Sequence, residues 1–176
     1  ITISGKDTAY VIDRKTGLFT TARKERESFP LAGPRLMILP LNPEGGQQME
    51  GIDKAYAPFT ETCSDWNAGE IQVSEKPGAV HVTVQGTYKE AGGRYAYTFN
   101  SDGTFDIEYD FKSAAKVQPR QLGIVLDLPP EFDTLSWKRK GLWSTYPEWH
   151  ISRLEGMVKA TEGFAATLAG PRTEPD

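Results

Sequence analysis

A chain of 176 residues, 38% hydrophobic and 11% aromatic, is long enough to bury roughly 70% of its unfolded surface in one core without disulfide or metal staples. Its formal net charge of −4, with 20 basic and 24 acidic residues interspersed, excludes the basic stripe by which a nucleic-acid surface is recognised. No apolar run approaches the roughly 18 residues of a membrane-spanning helix. The single cysteine, Cys63, permits no internal disulfide and leaves both a cytoplasmic and an exported location open. It is expected to be a buried, inert thiol. The N-terminus, ITISGKDTAY, has neither the charged nor the apolar region of a signal peptide. It also lacks an initiator Met, so a processed product or an excised domain is expected.

Taken in order, Ile1 to Ile3 and Thr8 to Ile12 carry β-branched and aromatic residues. Asp13-Arg14-Lys15-Thr16-Gly17 reads as a turn with glycine where a positive φ is needed, and Leu18 to Ala22 resumes as a strand, giving a first hairpin. Gly33-Pro34 is expected to punctuate the chain after the charged stretch Arg23 to Glu27. Arg35 to Leu41 is a short apolar run whose Pro40 confines it to an edge or a strand end. Asn42 to Trp66 is broken by proline and glycine, a length of loop that tends to be functional or to pack over something. Trp66 is expected to be a plug rather than a ligand.

From Ala68 the pattern becomes regular. Glu70 to Glu75, Ala79 to Glu90, Gly93 to Asn100 and Thr104 to Lys112 are predicted strands, with turns at Lys76-Pro77-Gly78, Glu90-Ala91-Gly92 and Ser101-Asp102-Gly103. Val80, Val82 and Val84 share one face of the second; Tyr95, Tyr97 and Phe99 one face of the third; Phe105, Ile107, Tyr109 and Phe111 one face of the fourth. The opposite faces carry His81, Thr83, Gln85, Thr98, Asp106, Glu108 and Asp110, so a half-buried antiparallel meander is predicted. Gln121 to Leu128 and Thr134 to Arg139 make two further strands, and Gly156 to Leu168 fits another hairpin. No segment offers ten residues of helical period with caps, and the strand spacing predicts an all-β sandwich forming a single domain over residues 1–176.

Catalytic chemistry finds little support in the residues. The two histidines, His81 and His150, stand in no HxxxH or CxxC setting, so no metal site is expected. No nucleotide-binding glycine fingerprint occurs, and no cofactor is expected. Asp106, Glu108 and Asp110 alternate as a solvated strand face requires. A glycosidase holds two carboxylates about 5 to 10 Å apart across a sugar ring, and no such pair can be picked from spacing. What stands out is Leu135 to Arg153, LSWKRKGLWSTYPEWHISR, with three of the four Trp following the end of a strand. Trp143, Tyr146, Trp149 and His150 could line part of a carbohydrate site by stacking and hydrogen bonding. The alternative is that Trp137 and Trp143 bury between sheet layers.

The run DLPPEFDTLSWKRKGLWSTYPE resembles the C-terminal β-sandwich domain of family 2 glycoside hydrolases of the β-galactosidase type. There a strand ending in Leu-Pro leads into Trp, a glycine-bearing turn, and Tyr-Pro with an acid. Tyr10-Val11-Ile12-Asp13-Arg14-Lys15-Thr16-Gly17-Leu18 looks like that domain's opening hairpin, and Gly33-Pro34-Arg35-Leu36 like the segment after it. The resemblance implies an antiparallel super-sandwich similar to galactose mutarotase, incomplete at its C-terminus. It implies a non-catalytic part of a larger multidomain glycosidase, partnered by a catalytic barrel that carries the catalytic glutamates and by the parent chain's other domains. This chain departs from the β-galactosidase pattern at Arg139, Gly141-Leu142, Ser144 and Glu148-Trp149, so galactose specificity does not carry over with the likeness. A free-standing carbohydrate-binding module and a mutarotase-like epimerase are the rival readings. The epimerase would need His and carboxylate partners around one pocket.

Overall fold

The computed structural model describes residues 1–40, 63–113, 119–141 and 153–159, and the chain falls into two compact units, Ile1–Leu128 and Pro129–Asp176. Every regular element among the described residues is a β-strand: β1 (Thr2–Ser4), β2 (Thr8–Ile12), β3 (Phe19–Lys24), β4 (Glu27–Pro40), β5 (Asn67–Lys76), β6 (Ala79–Thr87), β7 (Ala91–Asn100), β8 (Phe105–Ser113), β9 (Pro119–Asp127), β10 (Thr134–Lys138) and β11 (Glu155–Lys159). All pairings are antiparallel. The protein is therefore all-β, as its periodicity predicts.

In the first unit a five-stranded sheet, ordered β1-β2-β3-β4-β9, and a four-stranded meander, β5-β6-β7-β8, enclose one apolar cluster. Alternation dictates what enters it. Val82, Val84, Tyr95, Tyr97 and Phe99 are buried from the meander, and Ile3, Ile12, Phe19, Ala22, Leu31 and Leu36 from the facing sheet. Rings dominate the contact: Phe19 lies 5.0 Å from Tyr97 and 5.2 Å from Phe105 between centroids, and Tyr10 lies 5.0 Å from Phe105. Offset and edge-on pairs at such spacing add to the gain from burial alone. The register confirms the predicted faces, with Val84 opposite Tyr95, Val82 opposite Tyr97 and Val80 opposite Phe99.

Burying tyrosines requires partners for their hydroxyls. The Tyr97 hydroxyl donates to the Gly17 carbonyl at 3.0 Å, Tyr88 and Tyr95 share a hydrogen bond of 2.9 Å, and the Leu36 N–H donates to the Tyr88 oxygen at 3.3 Å. Gly17 sits at φ 67° directly over Val84, where a Cβ would meet the valine methyls at 2.4 Å. The turn thus needs glycine both for its backbone and for its close approach.

Two sequence expectations are corrected. Gly33-Pro34 does not punctuate the chain: β4 runs through it for 14 residues. Gly33 takes φ 115°, the register shifts between Ala32 and Arg35, and the ladder resumes as Arg35 against Val125. A bulge therefore absorbs the pair, and β4 exchanges β3 for β9 as its bonding partner there. The turn after β6 also falls earlier than Glu90-Ala91-Gly92, because the Tyr88 N–H bonds the Ala91 carbonyl at 2.7 Å and Ala91 already lies buried in β7.

In the second unit β10 and β11 form a two-stranded ladder, Leu135 opposite Val158 and Trp137 opposite Gly156. Gly156 leaves room for the indole, whose ring atoms would stand 2.5 Å from a Cβ. Of the predicted tail hairpin, Gly156 to Lys159 lies in β11; the rest lies outside the described residues.

Candidate functional site

The segment singled out by its aromatic density joins β10 to β11. Its base is fixed by backbone geometry: the Arg139 N–H donates to the Leu154 carbonyl at 2.7 Å, and the Arg153 carbonyl accepts both the Trp137 Nε1–H at 3.0 Å and the Arg139 Nε–H at 2.8 Å. Two N–H donors converging on one carbonyl, next to the Lys138–Glu155 pairing, hold the two ends of the connection together. Trp143, Tyr146, Trp149 and His150, the predicted sugar-contacting residues, lie in this connection but outside the described residues. Trp137 is half-buried on Gly156, in keeping with its continuing a strand. The pairing of β10 with β11 was missed by sequence reasoning, although Leu135/Trp137 alternation facing Gly156/Val158 was a signal for it.

Trp66 is a plug. Its ring lies 4.8 Å from Tyr88 and 5.4 Å from Tyr95, its Nε1–H donates to the Thr16 carbonyl at 2.8 Å, and it covers Gly86, where a Cβ would come within 2.4 Å. Cys63 is buried, its N–H bonded to the Leu36 carbonyl at 2.9 Å. Burial, reinforced by Glu90, pushes its thiol up to about 12, so it is a poor nucleophile.

On the outer face of the meander the register sets Ser74, His81, Thr98 and Asp106 in one row across four strands. His81 Nδ1 lies 3.0 Å from Thr98 Oγ1, and Asp106 accepts a hydrogen bond from Asn100 Nδ2 at 3.1 Å. The meander's rings point the other way, into the core, so this polar face carries no aromatic platform. Among the described residues no group of three or more His, Cys, Asp or Glu is placed to hold a metal ion. No helix among them is long and apolar enough to cross a membrane, which says nothing of a β-barrel.

Two open clefts follow glycines and turns. One of about 340 Å³ runs between the β1–β2 turn and the meander's end, lined by Lys6, Tyr10, Glu75, Lys76 and Asn100. Tyr10 is held there by donating to the Gly103 carbonyl at 2.7 Å, and burial raises its pKa. Another, of about 510 Å³, lies on the polar face among Glu70, Gln85, Arg94, Asp110 and Lys112. Both are open to solvent and mix polar with apolar lining.

These features define an antiparallel β-sandwich with its rings packed inward and a separate two-stranded ladder. The chain belongs to the β-galactosidase small chain family, whose model matches residues 4–161. A search of curated proteins found no match. Membership in a small-chain family implies association with the other domains of a β-galactosidase.

Proposed function

We propose that residues 1–176 act as one domain of a larger family 2 glycosidase that cleaves terminal β-glycosides. In this reading the chain carries no catalytic residue, and it shapes or shields the sugar site formed by a catalytic domain. The observation that carries the reading is the small-chain family match across residues 4–161.

Trp143, Tyr146, Trp149 and His150 are the proposed contacts with carbohydrate or with the catalytic domain. The described ends of their connection are bonded to each other through Arg139, Trp137 and the Arg153 carbonyl. Because of the departures at Arg139, Gly141-Leu142, Ser144 and Glu148-Trp149, galactose specificity is not carried over in this reading.

The test is complementation. The catalytic part of the enzyme is assayed on aryl β-glycosides with and without this chain, wild type and Trp143→Ala/Trp149→Ala. The wild-type chain is expected to raise activity, and the double variant to lose at least about tenfold of that gain, equivalent to 1.4 kcal/mol, at unchanged melting temperature. Indifference of the catalytic part to the chain, together with millimolar to micromolar glycan binding by the chain alone, would replace this reading with the binding module.

A further inference from the structure

Glycine weakens a strand and is kept where a bulge, a close neighbour or a bound group calls for it. Gly86 and Gly93 of the meander answer to close neighbours on the core side: a Cβ on Gly86 would run into the Trp66 ring, and one on Gly93 would stand 2.6 Å from the Phe111 Cα. Gly69 lies in the register shift between Ala68 and Ile71. Gly92 has no such reason. Its φ is not positive, and a Cβ on it would meet only the Thr87 methyl, at an ordinary 3.6 Å. It stands on the outer face between Thr87 of β6 and Lys112 of β8, and what it contributes there is a gap.

The gap opens into the cleft of about 510 Å³ on that face, a volume within the ordinary range of small-molecule sites. The next row sets Gln85 opposite Arg94 and Arg94 opposite Asp110. Glu70 lines the same cleft from β5, one of its carboxylate oxygens accepting from Gln72 Nε2 at 2.8 Å. Arg94 and Asp110 face each other with opposite charge yet form no ion pair, and neither they nor Gln85 and Lys112 have a hydrogen-bond partner among the described residues. All are exposed. An exposed ion pair gains little by closing, so leaving these groups open to an outside partner costs little.

The charges are balanced, with Glu70 and Asp110 against Arg94 and Lys112. An anion here would lie against carboxylates, and a cation against a guanidinium and an ammonium. A neutral ligand meets neither penalty. The guanidinium only donates, the carboxylates only accept, and the Gln85 amide and Thr87 hydroxyl do both. Adjacent hydroxyls, each able to donate and accept, match all three kinds of group. We infer that the Gly92 cleft is a binding site for a neutral saccharide, formed by residues other than those of the aromatic connection. Arg94 donates to ring hydroxyls, Asp110 and Glu70 accept from them, and Gly92 admits the ring between Thr87 and Lys112. This site rests on the cleft's own side chains and not on the assembly reading above.

The probes are glucose and galactose, which are neutral, with glucuronate and glucosamine as charged counterparts of the same ring. Each is titrated into the isotope-labelled full chain while backbone amide shifts are followed. A neutral sugar is expected to shift the amides of Gln85–Thr87 and Gly92–Arg94 saturably, and the charged sugars to bind more weakly. Arg94→Ala should weaken that binding by about tenfold. Gly92→Thr, which places a favoured strand residue in the gap, should abolish it without lowering the melting temperature. No saturable shift with either neutral sugar, equal or tighter binding of a charged one, or binding that survives Gly92→Thr would overturn the inference. Such a failure with intact complementation of the catalytic part would leave the assembly reading standing. Saturable binding with failed complementation would remove that reading and keep the site.

Discussion

The sandwich of the first unit and the β10–β11 ladder of the second use aromatic residues in opposite ways. In the sandwich, Tyr95, Tyr97, Phe99 and Phe19 are almost wholly buried, each ring touching several others. In the ladder a single indole rests on a glycine, while Leu135 and Met157 are 51% and 69% exposed. A two-stranded ribbon is marginal by itself. Rings in the first region build the fold, whereas the indole of Trp137 serves only to close a two-stranded ladder.

The largest effect should come from breaking the first region. Tyr95→Ala removes a fully buried ring and the hydroxyl partner of Tyr88, and is expected to cost about 4 kcal/mol, read by chemical denaturation. Trp137→Ala should cost only about 1 to 2 kcal/mol because its ring is half-buried. It should appear as faster hydrogen exchange within Glu155–Lys159, with the main melting transition unmoved. Equal effects of the two substitutions on global melting would erase the distinction between the regions.

A gentler probe is alkaline titration. Burial raises the Cys63 thiol from 9.0 to about 12 and pushes the Tyr88, Tyr95 and Tyr97 hydroxyls upward from 10.0. The unfolded chain therefore releases these protons first, and binds fewer than the folded chain over that range. Stability should fall progressively as pH rises above about 9. The fall should be shallower in Cys63→Ala, and no change in alkaline midpoint would contradict the burial of these groups.

The sandwich was legible because period-two alternation is a local property, and β6, β7 and β8 carry it without interruption. The passage of β4 through Gly33-Pro34 was not legible, because it depends on Val125 and Leu126 of β9 closing around a glycine far away in sequence. The pairing of β10 with β11 was hidden for a related reason: its partners are separated by a connection richer in rings than either strand. Trp66 could be read as a plug from its irregular surroundings, but its bond to Thr16 could not. Trp143, Tyr146, Trp149 and His150 fall outside the described residues, so composition and family likeness carry their assignment.

The Asp13 to Gly17 turn has a consequence for synthesis. Its Asp13 carboxylate is served locally by the Lys15 and Thr16 N–H groups, each at 2.8 Å. Two of its outward carbonyls are not: Thr16 is bonded by Trp66 and Gly17 by Tyr97, 50 and 80 residues downstream. A ribosome delivering this chain exposes the first hairpin well before either donor exists. Translation at 5–20 residues per second then imposes a wait of several seconds on the hairpin. During that wait the edge of the young sheet is open to neighbouring chains, and the two late-arriving rings act as the clasp that ends it.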